Sequence, residues 1–179
     1  MCSLHSAQVS IMWPGSSFNP SEVIDSYDEC YSNWYVNSIT PSITNITASS
    51  VYHSPAAPAR NPENVISGYF CKKTYYYCST NAKVKKPYWR ADLGTPKRVS
   101  SIIISIRRDN AQHFNDVEIT LGNSSDYNNI HFDHYDGVAP RGINIPFTPT
   151  NPVTGRYLQI QILNTTSSYL TFCDIVILG

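Results

Sequence analysis

From about Ile46 to the C-terminus, apolar residues recur at every second position, and turn-forming residues interrupt them roughly every 8 to 12 positions. That period sends alternate side chains to opposite faces of an extended chain, so the stretch must form short strands with a buried face, as in a sandwich or barrel. Asp116 to Leu121 alternates cleanly and buries Val117, Ile119 and Leu121; Arg156 to Ile162 does the same with Leu158, Ile160 and Ile162. In Ser101 to Arg107, Ile102, Ile104 and Ile106 share one face, and Ser101, Ile103, Ser105 and Arg107 share the other. Arg107 therefore leaves its strand on the less apolar side. The last run, Tyr169 to Leu178, is apolar on both faces and holds Cys173, which fits a central strand pinned by a disulfide. Helix is scarce, and neither an internal repeat nor a low-complexity segment interrupts the pattern.

Residues 1–44 lack this period and carry Trp13-Pro14-Gly15, Asn19-Pro20 and an acidic run from Asp25 to Glu29. Trp13, Phe18, Tyr27, Tyr31, Trp34 and Tyr35 are too many aromatic residues for a disordered tail. The segment reads as an appendage packed on the main domain and stapled by Cys2 to Cys30, or as the broken end of a neighbouring domain. The main domain then spans residues 45–179, and the 179 residues suit one domain plus an appendage better than two domains.

Lys plus Arg and Asp plus Glu both total 13, so no overall field draws the chain to nucleic acid or to an anionic membrane. No apolar stretch reaches the roughly 20 residues of a membrane span, so membrane insertion is not expected either. Five cysteines without a C-x-x-C motif suggest disulfides rather than a metal cage, and hence an extracellular or secreted module or the ectodomain of a larger protein. The start has neither a basic n-region nor an apolar h-region, so export requires a signal outside this sequence. Asn45, Asn123 and Asn164 open N-x-[ST] sequons, as many as a chain this rich in Asn, Ser and Thr produces by chance.

Pro87-Tyr-Trp-Arg-Ala-Asp-Leu-Gly94, followed by Val99 to Asp109, resembles the P-W-W-R-V-D-L-G segment and following strand of the F-type lectins, or fucolectins. Asn115-Asp-Val-Glu-Ile119 and Phe172-Cys-Asp-Ile-Val-Ile-Leu-Gly179 resemble that family's N-x-x-E-I and L-C-E-V-x-V-x-G segments, in the same order. The likeness covers about residues 45–179. It implies an all-β, eight-stranded jelly-roll sandwich of the galactose-binding, discoidin-like kind.

The resemblance also implies a sugar site. The family pattern H-x26-R-x-D-x4-R/K supplies donors to sugar hydroxyls and the ring oxygen from loops held by a rigid sheet, which suits a neutral, polyhydroxylated ligand. Arg107 and Asp109 fit the middle of it, while Thr80 stands 27 residues before Arg107 in place of the His, and Phe114 stands five after Asp109 in place of the last basic residue. Thr80 offers one hydroxyl and Phe114 no hydrogen bond; a one-residue shift of the Asn110 to Phe114 loop brings His113 near the last donor's place, with Phe114 or nearby tyrosines packing on the ring. A calcium ion beside the site is implied too, held here by Asn64, Ser67 and Asp174, although Ser67 replaces the family's acidic ligand and hard Ca²⁺ wants six to eight oxygens. The family's disulfide maps onto Cys78 and Cys173, leaving Cys71 unpaired or joined to the appendage.

Three further constellations have two readings each. His131-Phe-Asp-His-Tyr-Asp136 places His131 and Asp133 on one strand face as metal ligands, or forms a solvated polar cluster. Lys83 to Lys86 attracts an acidic glycan or is a solvated loop, and Tyr75 to Tyr77 stacks on a sugar or covers the barrel mouth. No G-x-S-x-G, H-E-x-x-H or P-loop signature is present, and catalysis has no candidate residues. Two functions follow: a carbohydrate-recognition module for glycans or glycoproteins, or a discoidin-like adhesion module that lost the sugar and binds protein through the same loops.

Overall fold

The computed structural model describes residues 38–54, 60–66 and 76–179. Twelve strands are formed there: β1 (Asn45–Ala48), β2 (Ser79–Thr80), β3 (Val84–Lys85), β4 (Tyr88–Val99), β5 (Ser101–Ser105), β6 (Asn115–Gly122), β7 (Ile130–Val138), β8 (Asn144–Phe147), β9 (Val153–Ile162), β10 (Ser167–Ser168), β11 (Thr171–Phe172) and β12 (Asp174–Leu178). One antiparallel sheet has five strands in the order β1-β4-β9-β6-β7, and the facing sheet has three in the order β12-β5-β8. Together they make the eight strands of a jelly-roll sandwich. Two short ribbons, β2 with β11 and β3 with β10, extend one end of it.

The alternating pattern accounts for the core. Val117, Ile119 and Leu121 of β6 and Leu158 and Ile160 of β9 are fully buried, and they share one core with Ile102, Ile104, Ile175 and Ile177 from the smaller sheet and Ile106 just after β5. Trp89 and Phe172 lie edge to face at the centre, ring centroids 5.7 Å apart, and the Trp89 Nε1–H donates to Pro62 O at 2.9 Å. That bond ties the short 3-10 turn Pro62–Ile66 to the core. Ile103, on the other face of β5 from the core, is buried too and pairs with buried Val176.

β12 is buried on both faces as the sequence suggests, yet it is an edge strand of its sheet rather than a central one. Its outer rim is closed by the residues just before β1. Ser38 bridges Leu178, the Ile39 N–H donates to Ile177 O at 2.8 Å, and the Ile177 N–H donates to Thr40 Oγ1 at 2.9 Å. A burial pattern records which faces are covered and says nothing of which rim is hydrogen-bonded, so the sequence reads an edge strand of this kind as a central one. Residues 38–44 of the appendage thus lie against the sandwich, while Cys2 and Cys30 fall outside the described residues.

Candidate functional site

A cavity of about 320 Å³ opens at the end of the sandwich that carries the short ribbons. Its walls come from four separate stretches of chain. Arg107, Asp109, Asn110 and His113 belong to the connection between β5 and β6, Thr80 to β2, Tyr169 to the segment between β10 and β11, and Tyr52 and Arg60 to the run between β1 and the Pro62–Ile66 turn.

Arg107 and Asp109 form the most structured element. The Arg107 side chain is 4% exposed, and Nε and Nη2 donate to Oδ1 and Oδ2 of Asp109 at 2.7 and 2.5 Å. This side-on, two-bond pairing fixes the plane of the guanidinium. The same bonds to Arg107 hold the Asp109 carboxyl below its usual range, against a smaller opposing effect of burial, so it is ionised at neutral pH.

The chain then passes through Asn110, whose left-handed conformation (φ 55°) opens the 3-10 turn Ala111–His113. This turn sends neighbouring side chains in opposite directions. His113 lines the cavity and lies over Tyr169, with ring centroids 4.7 Å apart. Phe114 is fully buried, packing against Tyr135, Phe147 and Phe172 at centroid distances of 6.0, 6.4 and 6.4 Å. Phe114 therefore offers no surface to a sugar, which corrects its placement among ring-packing residues: an apolar ring next to an open core position goes into the core. Burial, reinforced by the positive charges of Arg107 and Arg60, pushes His113 below its ordinary value, so its imidazole is neutral at pH 7. Its Nδ1 is buried without a hydrogen-bond partner among the described residues.

Thr80 sits at the cavity wall and is only 2% exposed. Its hydroxyl accepts a bond from Thr171 Oγ1 at 3.3 Å, its N–H donates to Arg60 O at 3.3 Å, and its carbonyl accepts from the Tyr52 N–H at 2.8 Å. It reads as a brace between walls more than as an outward donor. The Cys78–Cys173 disulfide closes the same ribbon, joining the residue before β2 to the residue between β11 and β12. Buried Asn81 continues the bracing: its amide nitrogen donates to Ser49 Oγ, Ser50 O and Tyr88 O at 2.8, 3.1 and 3.1 Å.

Tyr52, Arg60, Asn110 and Tyr169 also line the cavity; the sequence names Asn110 and Tyr169 only as the ends of a loop and of an apolar run, and marks none of the four as a site residue. All lie in irregular segments; Asn110 falls at an unspecified position of the R-x-D-x4-R/K spacing, and no spaced motif reaches the other three. The nearest signal is a lone Arg60 in a proline-rich run before Asn61-Pro62. Tyr52 lies at the junction of two interactions: the Arg60 guanidinium stands 4.6 Å over its ring, and the Tyr169 ring meets it edge-on at 6.0 Å.

Of the calcium set, Asn64 lies in the Pro62–Ile66 turn, and its amide nitrogen donates to Cys78 O at 3.4 Å. Asp174 is fully buried at the start of β12, the strand packed against that turn, and its Oδ1 accepts from the Ile175 N–H at 2.8 Å. One carboxylate and one amide oxygen on adjoining elements suit a hard cation in kind. Ser67 falls outside the described residues, as do Cys71 and Tyr75.

The His131 to Asp136 cluster resolves differently from the pairing expected of it. His131 Nδ1 binds Glu118 on the adjacent strand at 2.7 Å, and the Asp133 carboxylate accepts from the N–H groups of His134 and Thr148 at 2.8 and 3.1 Å. His131 and Asp133 thus turn to separate partners. Asp116, His134 and Asp136 approach one another instead, with ligand atoms within 4.8 Å, on an edge of the larger sheet. Lys83, Lys85 and Lys86 are exposed, as are Tyr76 and Tyr77.

The chain is similar to a fucolectin from striped bass (Morone saxatilis) serum, at 28% identity and a TM-score of 0.71, covering 80% of this chain and 48% of the fucolectin chain. It therefore spans about half the length of that relative. It is also similar in fold to the lectin domain of lectinolysin complexed with Lewis b antigen (14% identity, TM-score 0.67, 79% of this chain and 96% of that one). A family 32 carbohydrate-binding module of C. perfringens NanJ, in complex with galactose, gives 15% identity and a TM-score of 0.59 over 80% of this chain and 98% of that one. No curated protein matches the chain in sequence. The F5/8 type C domain model matches residues 45–175, continuously from β1 into β12, and the chain belongs to that family.

Proposed function

We propose that the chain is a carbohydrate-binding, lectin-like module of an extracellular protein and that the end cavity is its glycan site. The observation that carries this reading is the buried Arg107, its guanidinium plane fixed by Asp109, standing in a cavity walled by Tyr52, Tyr169 and a neutral His113. Such a set supplies fixed donors, an acceptor carboxylate and aromatic surface, which is what a neutral polyhydroxylated ligand needs. The relatives with glycan ligands support the class of partner, and the Cys78–Cys173 disulfide supports an oxidising compartment. Fucose or a related sugar is the proposed ligand, with Thr80 bracing the wall that His113 and Arg107 face. The reading is one of binding without turnover. A calcium ion held by Asn64, Asp174 and Ser67 belongs to the same proposal.

The alternative, an adhesion module that binds protein through these loops, is favoured by two facts: Thr80 shows almost no surface, and Phe114 is in the core. A glycan array with and without calcium, with Arg107→Ala as control, separates the readings. Glycan binding lost in the variant supports the sugar site, and loss on chelation supports the calcium. Silence across the array from a folded sample sinks the sugar reading and leaves the adhesion module.

A further inference from the structure

We propose that Arg60 is a second ligand-binding guanidinium of this cavity, lining it together with the Arg107–Asp109 pair and donating hydrogen bonds to acceptor oxygens of the bound sugar. The inference rests on the glycan-site reading and adds a residue that the spacing of the F-type pattern does not reach.

Three observations carry it. Arg60 lines the cavity from a stretch of chain far in sequence from Arg107, so the two permanently charged donors among the described lining residues come from different walls. Its backbone is fastened in place: Arg60 O accepts from the Thr80 N–H at 3.3 Å, and the turn that follows is tied to the core by the Trp89 bond to Pro62. Its guanidinium stands 4.6 Å over the ring of Tyr52. A guanidinium on an aromatic face uses its π surface for that contact, while its N–H bonds lie in its own plane. Stacking on Tyr52 thus positions the group through its face rather than through its N–H edge.

The charge of Arg60 also reaches the rest of the site, lowering both the Asp109 carboxyl and the His113 imidazole. Arg60, Tyr52, Tyr169 and His113 are linked by successive cation–π and ring contacts, and Arg107 with Asp109 lines the same cavity. A sugar bound there meets two guanidinium groups as donors, Asp109 as acceptor for its hydroxyls, and neutral His113 as a further hydrogen-bonding partner.

The test is binding of the purified chain to an array of immobilised glycans that includes fucosylated and galactose-terminated members, comparing wild type, Arg60→Ala, Arg60→Lys and Arg107→Ala. Titration of the strongest array glycan then gives affinities, and thermal melting reports folding. Removing one charged hydrogen-bond donor should weaken binding roughly tenfold to a hundredfold in Arg60→Ala with the melting temperature little changed. Arg60→Lys, which keeps the charge and loses the planar fork, should fall between. The Arg60 Nε–H signal in a heteronuclear NMR spectrum should shift on adding that glycan, which a merely structural residue would not do. Binding abolished by Arg107→Ala but unchanged in Arg60→Ala, with an unmoved Arg60 signal, overturns this inference and leaves the glycan site standing. No binding by the folded wild type overturns both.

Discussion

Phe114 and Phe172 pack edge to face in the core, ring centroids 6.4 Å apart and planes 84° to one another, while His113, one residue earlier, lies over Tyr169 in the cavity. A single peptide unit thus separates the interior of the sandwich from the cavity at its end. Replacing Phe114 by Ala should cost roughly 3–5 kcal/mol of stability, as for other large aromatic core truncations, measured by urea or guanidinium unfolding. Replacing it by Arg, the residue type of the F-type pattern, should destabilise at least as much without adding a donor to the cavity. A Phe114→Arg protein that melts like wild type would contradict the placement of that ring.

The Cys78–Cys173 bridge closes a sequence separation of 95 residues. In the chain-entropy account a loop of that size is worth about 4.7 kcal/mol, so Cys78→Ser with Cys173→Ser should reduce the unfolding free energy by that order and lower the midpoint accordingly. Dithiothreitol should lower the wild-type midpoint similarly and change that of the double variant much less.

Asp109→Asn keeps the shape of the side chain and removes the charge that faces buried Arg107. Loss of a charge-assisted bidentate pair should cost roughly 1–3 kcal/mol in stability, and glycan affinity should fall because the guanidinium plane is no longer held. Equilibrium unfolding and array binding, run on the same preparation, check both effects.

His113 is depressed below its ordinary value of 6.5, mainly by burial and then by Arg107 and Arg60. The unfolded chain therefore takes up this proton at a higher pH than the folded one. The stability associated with the neutral imidazole is complete above about pH 6.5 and declines as pH falls from there through the lower folded value. Asp109, also depressed, contributes stability that is complete above 3.8 and declines below it. His113→Gln should flatten the upper part of the acid profile and leave the lower part in place, as read by melting temperature between pH 7 and 3.

The strand faces were readable because period two is a property of the chain itself: Val117, Ile119 and Leu121 need no knowledge of their neighbours to be assigned inward. The paired cysteines and the Arg107-x-Asp109 element were readable through the resemblance to F-type lectins. Arg60, Tyr52 and Tyr169 were not, because each reaches the cavity from an aperiodic segment whose path is fixed by hydrogen bonds to other loops. The choice between His113 and Phe114 depended on the 3-10 turn after Asn110, a backbone geometry that spacing alone does not encode. The edge position of β12 was hidden for a similar reason, since its covering partner lies in residues 38–40.

That covering has a bearing on self-association. An edge strand with open N–H and C=O groups is a template for pairing with another chain, and β12 is the most apolar edge strand among the described residues. Ser38, Ile39 and Thr40 occupy part of that template, while the opposite edge of the same sheet, β8, carries Pro146, which has no N–H to offer. The smaller sheet is thus blunted on both rims, at one by a borrowed segment and at the other by a missing donor, and can bury its isoleucines without inviting a second copy to extend it.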